Sequence, residues 1–477
     1  MAHRTIPQLE DYLIESQLLT PSELSSCRAE MPSATDVDDY LQLLERKQFL
    51  TTFQVGRIRK GETDGLVLGG CKLLYKNASG SFARVYRVAR ISDGKMLGMK
   101  VLRERWAMDS SSVQLFRHEG QVGRRLTHPN IVPIYDVGNE GKFHFISMEF
   151  VEGGNLRDFI TIRKQLEPVE ALRYALDISR GLDYALSQGI THRDMKTTNV
   201  LMSSQGVAKL IDFGLAADDA FFNRPGAPDL AQALEYSTLE KGTGAPTNDP
   251  RSDLFFLGTI LYELITGKPP YPRTRDREER KRFSRYRDVR PISAVMSTLD
   301  WRVASVIDRL LQINPGQRYQ SAAELGDEVI NVLAHLGHNQ PIVETKRSTD
   351  RSSTKTILCV ENRPKRQDIL REYFSKHGYR LLLMGDIDRA MNRIANDPPN
   401  GLILFGDVVG DRVVDDFKRS LKMTAGSGVV SILVLSGEQA ALKDHLNGLD
   451  ARGQVLMQPI RLRDLRKAIQ NASVSAK

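Results

Sequence analysis

Residues Ile190 to Ala216 read ITHRDMKTTNVLMSSQGVAKLIDFGLA, and the rest of the chain is best understood outward from them. The stretch sets three ionisable groups and one amide at fixed offsets on two short hairpin-like turns. Asp194 and Asn199 flank the first turn with Lys196 between them, and Asp212 follows the apolar run Val207 to Ile211 just before a glycine. Two oxygen donors, Asn199 and Asp212, suit a hard cation such as Mg²⁺, which keeps waters and takes its other ligands from phosphates. Asp194 is then free to orient a hydroxyl and accept its proton, while Lys196 offsets charge on a transferring phosphoryl group. An acidic surface turn beside a buried strand is the bland alternative, and the order of several uncommon residues argues against it.

His192-Arg193-Asp194 with Asn199, followed by Asp212-Phe213-Gly214, resembles the H-R-D-x-x-x-x-N and D-F-G signatures of eukaryotic-type (Hanks-type) protein kinases. Lys196, two places after Asp194, is similar to the serine/threonine branch. The resemblance implies an α+β bilobal kinase fold, with ATP and Mg²⁺ as cofactors and Mn²⁺ as a substitute. It makes Asp194 and Lys196 catalytic and gives the metal to Asn199 and Asp212.

Upstream, alternation over Cys71–Tyr75, Phe82–Val88 and Lys95–Leu102 predicts three strands. The turn Ala78-Ser-Gly-Ser-Phe-Ala-Arg-Val85 lies where the family has its glycine-rich phosphate cover, with Gly80 alone of the three glycines. Bare backbone can approach phosphate oxygens closely, so Ala78 and Ala83 are expected to stiffen the cover and weaken nucleotide binding without abolishing it. By the resemblance, Ala78, Gly80, Ser81 and Val85 line the nucleotide. Lys100 holds the α- and β-phosphates, and Glu119, on the following helix, orients it. A strand-like run from Phe143 to Val151 puts Met148 at the gatekeeper position and Glu149 to Val151 at the hinge beside adenine.

Downstream, Pro168 to Gln188 has helical apolar spacing. Asp253 matches the aspartate that supports the catalytic turn in the family, and Glu240 is expected to pair with Arg318. The threonine that normally contacts the catalytic pair falls at Ala233, and no Ser or Thr lies between Gly214 and Tyr236. Such a segment cannot be switched by Ser/Thr phosphorylation, so Asp218, Asp219 or Asp229 is expected to supply permanent negative charge to Arg193. The basic run Arg273 to Arg290 reads as a solvated excursion with interleaved acids; a docking surface for substrate is the sharper alternative.

At 477 residues the chain is long enough for two or three cores. Cys27, Cys71 and Cys359 are too few and too scattered for a disulfide framework or zinc site, which fits a reducing cytoplasm. No run approaches the roughly 20 apolar residues that span a bilayer, so a soluble cytoplasmic protein without membrane attachment is expected. A net charge of +8 is modest for this length and does not call for nucleic acid.

Residues 1–68 show helical spacing at Leu9, Tyr12, Leu13, Leu18 and Leu19, then at Val37, Leu41, Leu44 and Leu50, with helix starts at Thr20 and Thr51. They resemble the helical extension of some bacterial Hanks-type kinases, a cap on the small lobe or a module for signalling partners. The kinase domain is expected over 69–336, divided at 150/151, and a polar linker over 337–355. Residues 356–477 alternate strands and helices in five βα units, which predicts a parallel sheet covered on both faces. This segment resembles a flavodoxin-like response-regulator receiver, with Glu361-Asn362, Gly406 or Asp407, Ser436 and Gln458-Pro459 at the family's reactive positions. Gly406 best matches the phosphoacceptor and alternation turns Asp407 to the other face, so a regulatory, binding or dimerising domain that is not phosphorylated is expected.

The function expected is a serine/threonine protein kinase acting on a protein substrate. The alternative is a nucleotide-binding pseudokinase scaffold, for which Ala78, Ala83 and Ala233 speak. Oligomeric state leaves no signature in the sequence.

Overall fold

A computed structural model describes residues 5–30, 36–47, 49–203, 205–213, 231–274 and 276–338, and then 356–363, 366–367, 369–370, 373–374, 379–396, 398–410, 412–424, 429–446 and 453–475. The chain forms two compact units, 1–345 and 346–477.

The first unit opens with α1 (Ile6–Glu15), α2 (Pro21–Glu30), α3 (Val37–Arg46) and α4 (Thr52–Arg59). Their starts are chemically marked. Thr51 and Gln54 make a reciprocal capping box at α4, and Asp36 accepts the Asp38 N–H at α3. Leu9, Leu13, Leu41, Leu44 and Val55 close a core among the helices. Glu10, almost buried there, takes an ion pair from Arg28 and a 2.6 Å hydrogen bond from the Tyr40 hydroxyl.

A six-stranded antiparallel sheet follows in the order β1-β2-β3-β4-β6-β5: β1 (Val67–Leu68), β2 (Cys71–Ser79), β3 (Ala83–Arg90), β4 (Met96–Leu102), β5 (Ile134–Glu140) and β6 (Phe143–Glu149). The helical extension is joined to it, since the Thr51 hydroxyl donates to the Leu74 carbonyl at 2.7 Å and Phe53 lies 5.7 Å from the Tyr86 ring. Between β4 and β5 run α5 (Glu104–Ala107) and α6 (Ser110–Arg124). Gly120 and Gly123 let α6 sit against β5: an added Cβ would come within 2.6 Å of Val137 Cγ2 and 2.3 Å of Ile134 Cδ1. That close approach carries Glu119 to the sheet.

The larger lobe is helical: α7 (Leu156–Arg163), α8 (Pro168–Ser187), α9 (Ala231–Thr243), α10 (Pro250–Thr266), α11 (Trp301–Leu310) and α12 (Ala322–His335), with short helical turns between α10 and α11. One antiparallel pair, β7 (Val200–Met202) and β8 (Ala208–Leu210), lies among them. Helix α10 is apolar on every side, and Leu254 through Leu257 and Ile260 through Ile265 are buried, as a central helix must be. It therefore serves as the fixed post for the turn before β7.

In the second unit, β9 (Thr356–Val360), β10 (Arg380–Met384), β11 (Gly401–Phe405), β12 (Val430–Leu435) and β13 (Gly453–Met457) pair in parallel in the order β10-β9-β11-β12-β13. Alternation sends Leu358, Val360, Leu402 and Leu404 to one face with Phe417, and Ile357, Cys359, Ile403 and Phe405 to the other with Phe374 and Leu465. Helices Ile387–Asn396, Val413–Met423 and Leu462–Ser475 connect or follow the strands, whereas Gly437–Leu446 is a run of 3₁₀ turns where a regular helix was expected.

Candidate active site

Lys100 is the centre of the site. Val85 on β3 and Ile146 on β6 are its cross-strand neighbours, so its position is fixed from both sides. Its ammonium is ion-paired with Glu119 Oε1 and lies 2.9 Å from Asp212 Oδ1. Burial alone would drive the ammonium pKa down, but Asp212 and Glu119 hold it above the ordinary lysine value. Burial pushes the Glu119 carboxyl up, whereas Lys100 carries Asp212 below the usual carboxylate range against its own desolvation. The two carboxylates also differ in access: the Glu119 side chain is 11% exposed and that of Asp212 35%. Asp212 can therefore face both Lys100 and a ligand.

The turn carrying Asp194 is held from α10. Asp253 accepts the His192 N–H at 2.8 Å through Oδ2, and the Arg193 N–H at 2.9 Å and the Tyr236 hydroxyl at 2.8 Å through Oδ1. Tyr236 then accepts the Met195 N–H at 3.1 Å, so one tyrosine clips the helix to the turn. These bonds hold Arg193 at φ +59°, and Asp212 sits at φ +62°; both are left-handed conformations that a non-glycine residue keeps only when its surroundings impose them. The buried His192 ring packs 4.5 Å from that of Phe213, which ties the two segments together.

Lys196 Nζ donates to Asp194 Oδ2 at 2.7 Å, and Asn199 Nδ2 donates to Asp194 O at 3.0 Å and to its Oδ2 at 2.7 Å. Burial raises the Asp194 carboxyl above its ordinary value, and Lys196 opposes the rise. With the amide nitrogen of Asn199 turned to Asp194, its Oδ1 has no protein donor among the described residues, and Asp212 offers carboxylate oxygen at the open end of the Lys100 cluster. An amide oxygen and a carboxylate fit Mg²⁺ or Mn²⁺.

Ala78 pairs with Val85 across β2 and β3, Ala83 pairs with Leu102 across β3 and β4, and only Gly80, Ser81 and Phe82 lie between β2 and β3. Side chains from α5 and from Arg103, which joins β4 to it, tether that tip. Arg103 donates to Ser79 Oγ at 2.8 Å, Arg105 and Trp106 donate to Ser81 O at 2.5 and 3.1 Å, and Phe82 packs 6.0 Å from Trp106. At the hinge, Met148 lies opposite Gly98, Lys209 holds Glu149 at 2.5 Å, and Val151 is buried. A cavity of about 20 Å³ behind Met148 is bounded by Glu119, Ile146 and Phe213.

Several expectations change. Glu240 does not pair with Arg318. It sits on α9, accepts from Ser252 at 3.2 Å and lies 3.8 Å from Arg193. Arg318 instead donates to the carbonyls of Gln312, Arg251 and Ile313, and burial lowers its pKa to about 10. Arg193 also reaches Asn248, and the aspartates expected to meet it, Asp218, Asp219 and Asp229, fall outside the described residues, as do Gly214 and the Ala233 side chain. The basic run is not uniformly solvated: Arg273, Arg280 and Arg285 line a cavity of about 440 Å³ that also contains Asp194 and Lys196. Spacing gave no hint of Tyr236, Trp106 or Lys209.

In the second unit, Asp407 does not turn away. Strand β11 ends at Phe405 and Gly406–Val409 is a helical turn, so strand alternation no longer applies. Asp407 reaches Arg363 at 2.7 Å and Arg366 at 2.8 Å, and Arg366 also pairs with the buried Glu361 at 3.0 Å. Gly406 faces Gln439, whose Nε2 donates to its carbonyl at 3.0 Å.

A protein kinase domain model matches residues 76–330. The serine/threonine-protein kinase PknB of Mycobacterium leprae is 32% identical over 281 residues, 57% of this chain and 44% of that protein. The serine/threonine-protein kinase PrkC of Bacillus subtilis is 34% identical over 205 residues, 43% of this chain and 32% of that one. The crystal structure of the Mycobacterium tuberculosis PknI kinase domain, in a cysteine-to-alanine mutant form, shares 26% identity and covers 57% of this chain and 98% of its own, with a TM-score of 0.43. The chain thus spans less than half the length of these curated relatives. Since the matched domain takes in more than half of its residues, this protein belongs to the protein kinase domain family.

Proposed function

We propose that the protein is a serine/threonine kinase that transfers the γ-phosphoryl of Mg²⁺-ATP to a protein hydroxyl. The observation that carries this reading is the convergence of Lys100, Glu119 and Asp212 in one cluster, with Asp194, Lys196 and Asn199 hydrogen-bonded to one another on the adjoining turn. Lys100 would hold the α- and β-phosphates while Glu119 fixes its direction. Asn199 and Asp212 would hold the metal, which when bound neutralises charge across the phosphate oxygens. Asp194 would orient the acceptor hydroxyl and take its proton, and Lys196 would balance charge on the phosphoryl group in flight. Gly80, Ser81, Val85, Met148, Glu149 and Val151 would enclose the nucleotide. Sequence likeness to kinases named for serine and threonine supports the choice of acceptor.

Radiolabelled transfer by the wild type and by Asp194→Asn tests the reading. The variant should lose on the order of 10²–10⁴ in turnover while nucleotide binding persists; equal turnover would refute it. The pseudokinase alternative draws on the shortened cover and on Glu240 turned toward Arg193, and wild type inert beside a nucleotide-binding signal would favour it.

The second unit we read as a receiver-like domain, on the strand order β10-β9-β11-β12-β13, the arrangement of flavodoxin-like sheets. With Glu361 and Asp407 occupied by arginines, its role would be regulation or partner binding.

A further inference from the structure

The cavity of about 440 Å³ beside Asp194 and Lys196 is where an acceptor side chain and its neighbours would lie if the reading above holds. Its wall carries five cations, Arg157, Lys196, Arg273, Arg280 and Arg285, against three carboxylates, Asp194, Glu235 and Glu263. Each carboxylate is already held by a cation of the same wall. Lys196 takes Asp194 at 2.7 Å, Arg273 takes both Glu263 oxygens at 2.6 and 2.7 Å, and Arg280 lies 3.5 Å from Glu235. The lining acids are thus outnumbered, and each already has a cation of the same wall within 3.5 Å.

The cations are not all used. The guanidinium of Arg157, on the exposed first turn of α7, has no hydrogen-bond or ion-pair partner among the described residues. Arg273 meets Glu263 and Thr197 through Nη2 alone, its side chain is 44% exposed, and its Nε and Nη1 have no hydrogen-bond partner among the described residues. A planar guanidinium with open N–H groups recognises carboxylate, often in bidentate fashion.

We propose that this cavity selects acceptor segments rich in Asp and Glu, with Arg157 and Arg273 as the residues that set the preference. The inference rests on the kinase reading. A basic residue beside the acceptor would meet a surplus of two positive charges, and an acidic one would meet Arg157, whose charge reaches Glu263 but whose N–H groups make no hydrogen bond among the described residues.

The test uses the full chain and three peptides with one acceptor serine flanked by Glu, by Ala or by Arg. Transfer should rank acidic over neutral over basic, with about a tenfold difference in kcat/KM between the first two, a size expected of a few partly exposed charge pairs. Arg157→Glu should shrink the acidic-to-neutral ratio severalfold, a readout that a general loss of fold or turnover would not move. In parallel, anisotropy with fluorescent peptides, Asp194→Asn and a non-hydrolysable ATP analogue should rank binding in the same order. Transfer without acidic preference, or a ratio untouched by Arg157→Glu, overturns the proposal and leaves the kinase reading standing. Binding in the stated order without transfer to any peptide supports the proposal and overturns the kinase reading; equal binding of all three overturns the proposal.

Discussion

Two clusters in this protein set cationic side chains against a pair of carboxylates, and they end in opposite states. At Lys100, a single ammonium touches Glu119 and Asp212, and the Asp212 side chain keeps 35% of its surface. At Arg366, two guanidinium groups close on Glu361 and Asp407, and the Glu361 side chain is wholly buried. Lysine leaves oxygen lone pairs for a metal or phosphate-bound ligand. The planar fork of arginine engages both carboxylates at once, and its ring contact with Phe405 at 4.7 Å holds it there. What separates the two is that the first cluster keeps one uncompensated negative charge and an accessible carboxylate, whereas the second is neutral with Glu361 sealed in.

Lys100→Met should break the first cluster most severely, with transfer falling on the order of 10²–10³ and nucleotide affinity weakening, both read by steady-state kinetics. Arg366→Met should destabilise the second unit by about 3 kcal/mol, because Glu361 is left buried without its partner; urea unfolding measures it. The same variant should gain a Mg²⁺-dependent rise in melting temperature that the wild-type unit lacks. If wild type shows that rise, the contrast fails.

Acid titration gives a smaller effect. Asp407, which burial would raise, is carried down to about 2, chiefly by Arg366, with Gln458 and Arg363 adding to the effect. A depressed carboxylate stabilises the fold above its ordinary pKa of 3.8, so that contribution should fade as pH falls from about 4 through 2. Asp407→Asn should flatten this limb in pH-dependent unfolding. Smallest of all, Arg363→Ala should change stability by less than about 1 kcal/mol, because that side chain is half exposed.

Much of the architecture was legible. Period-2 alternation marked the strands from Cys71 onward, the succession of strand-like and helical runs marked the five parallel strands from Thr356, and Thr51 with Gln54 announced α4. In the site, Lys100, Glu119, Asp194, Asn199 and Asp212 could be singled out because their side chains are themselves the chemistry. Partner choice was harder to read. Glu240 and Arg318 were matched by analogy, yet Arg318 satisfies three carbonyls and leaves Glu240 to Arg193. Asp407 was misdirected because alternation holds only while the strand lasts, and β11 ends two residues earlier. Tyr236 acts through one hydroxyl between two backbone-linked groups, a geometry with no period at all.

Strand β2 runs beneath the helical extension, where Thr51 grips the Leu74 carbonyl, and ends at Ser79 under the tethered tip. Its pairing with β3 skips Leu74 and Asn77, so the strand is bulged at two points along this stretch. A displacement of the N-terminal helices would have to cross both bulges to reach the β2–β3 tip, roughly 17 Å further on at about 3.3 Å per residue, so the strand would absorb part of it as bending.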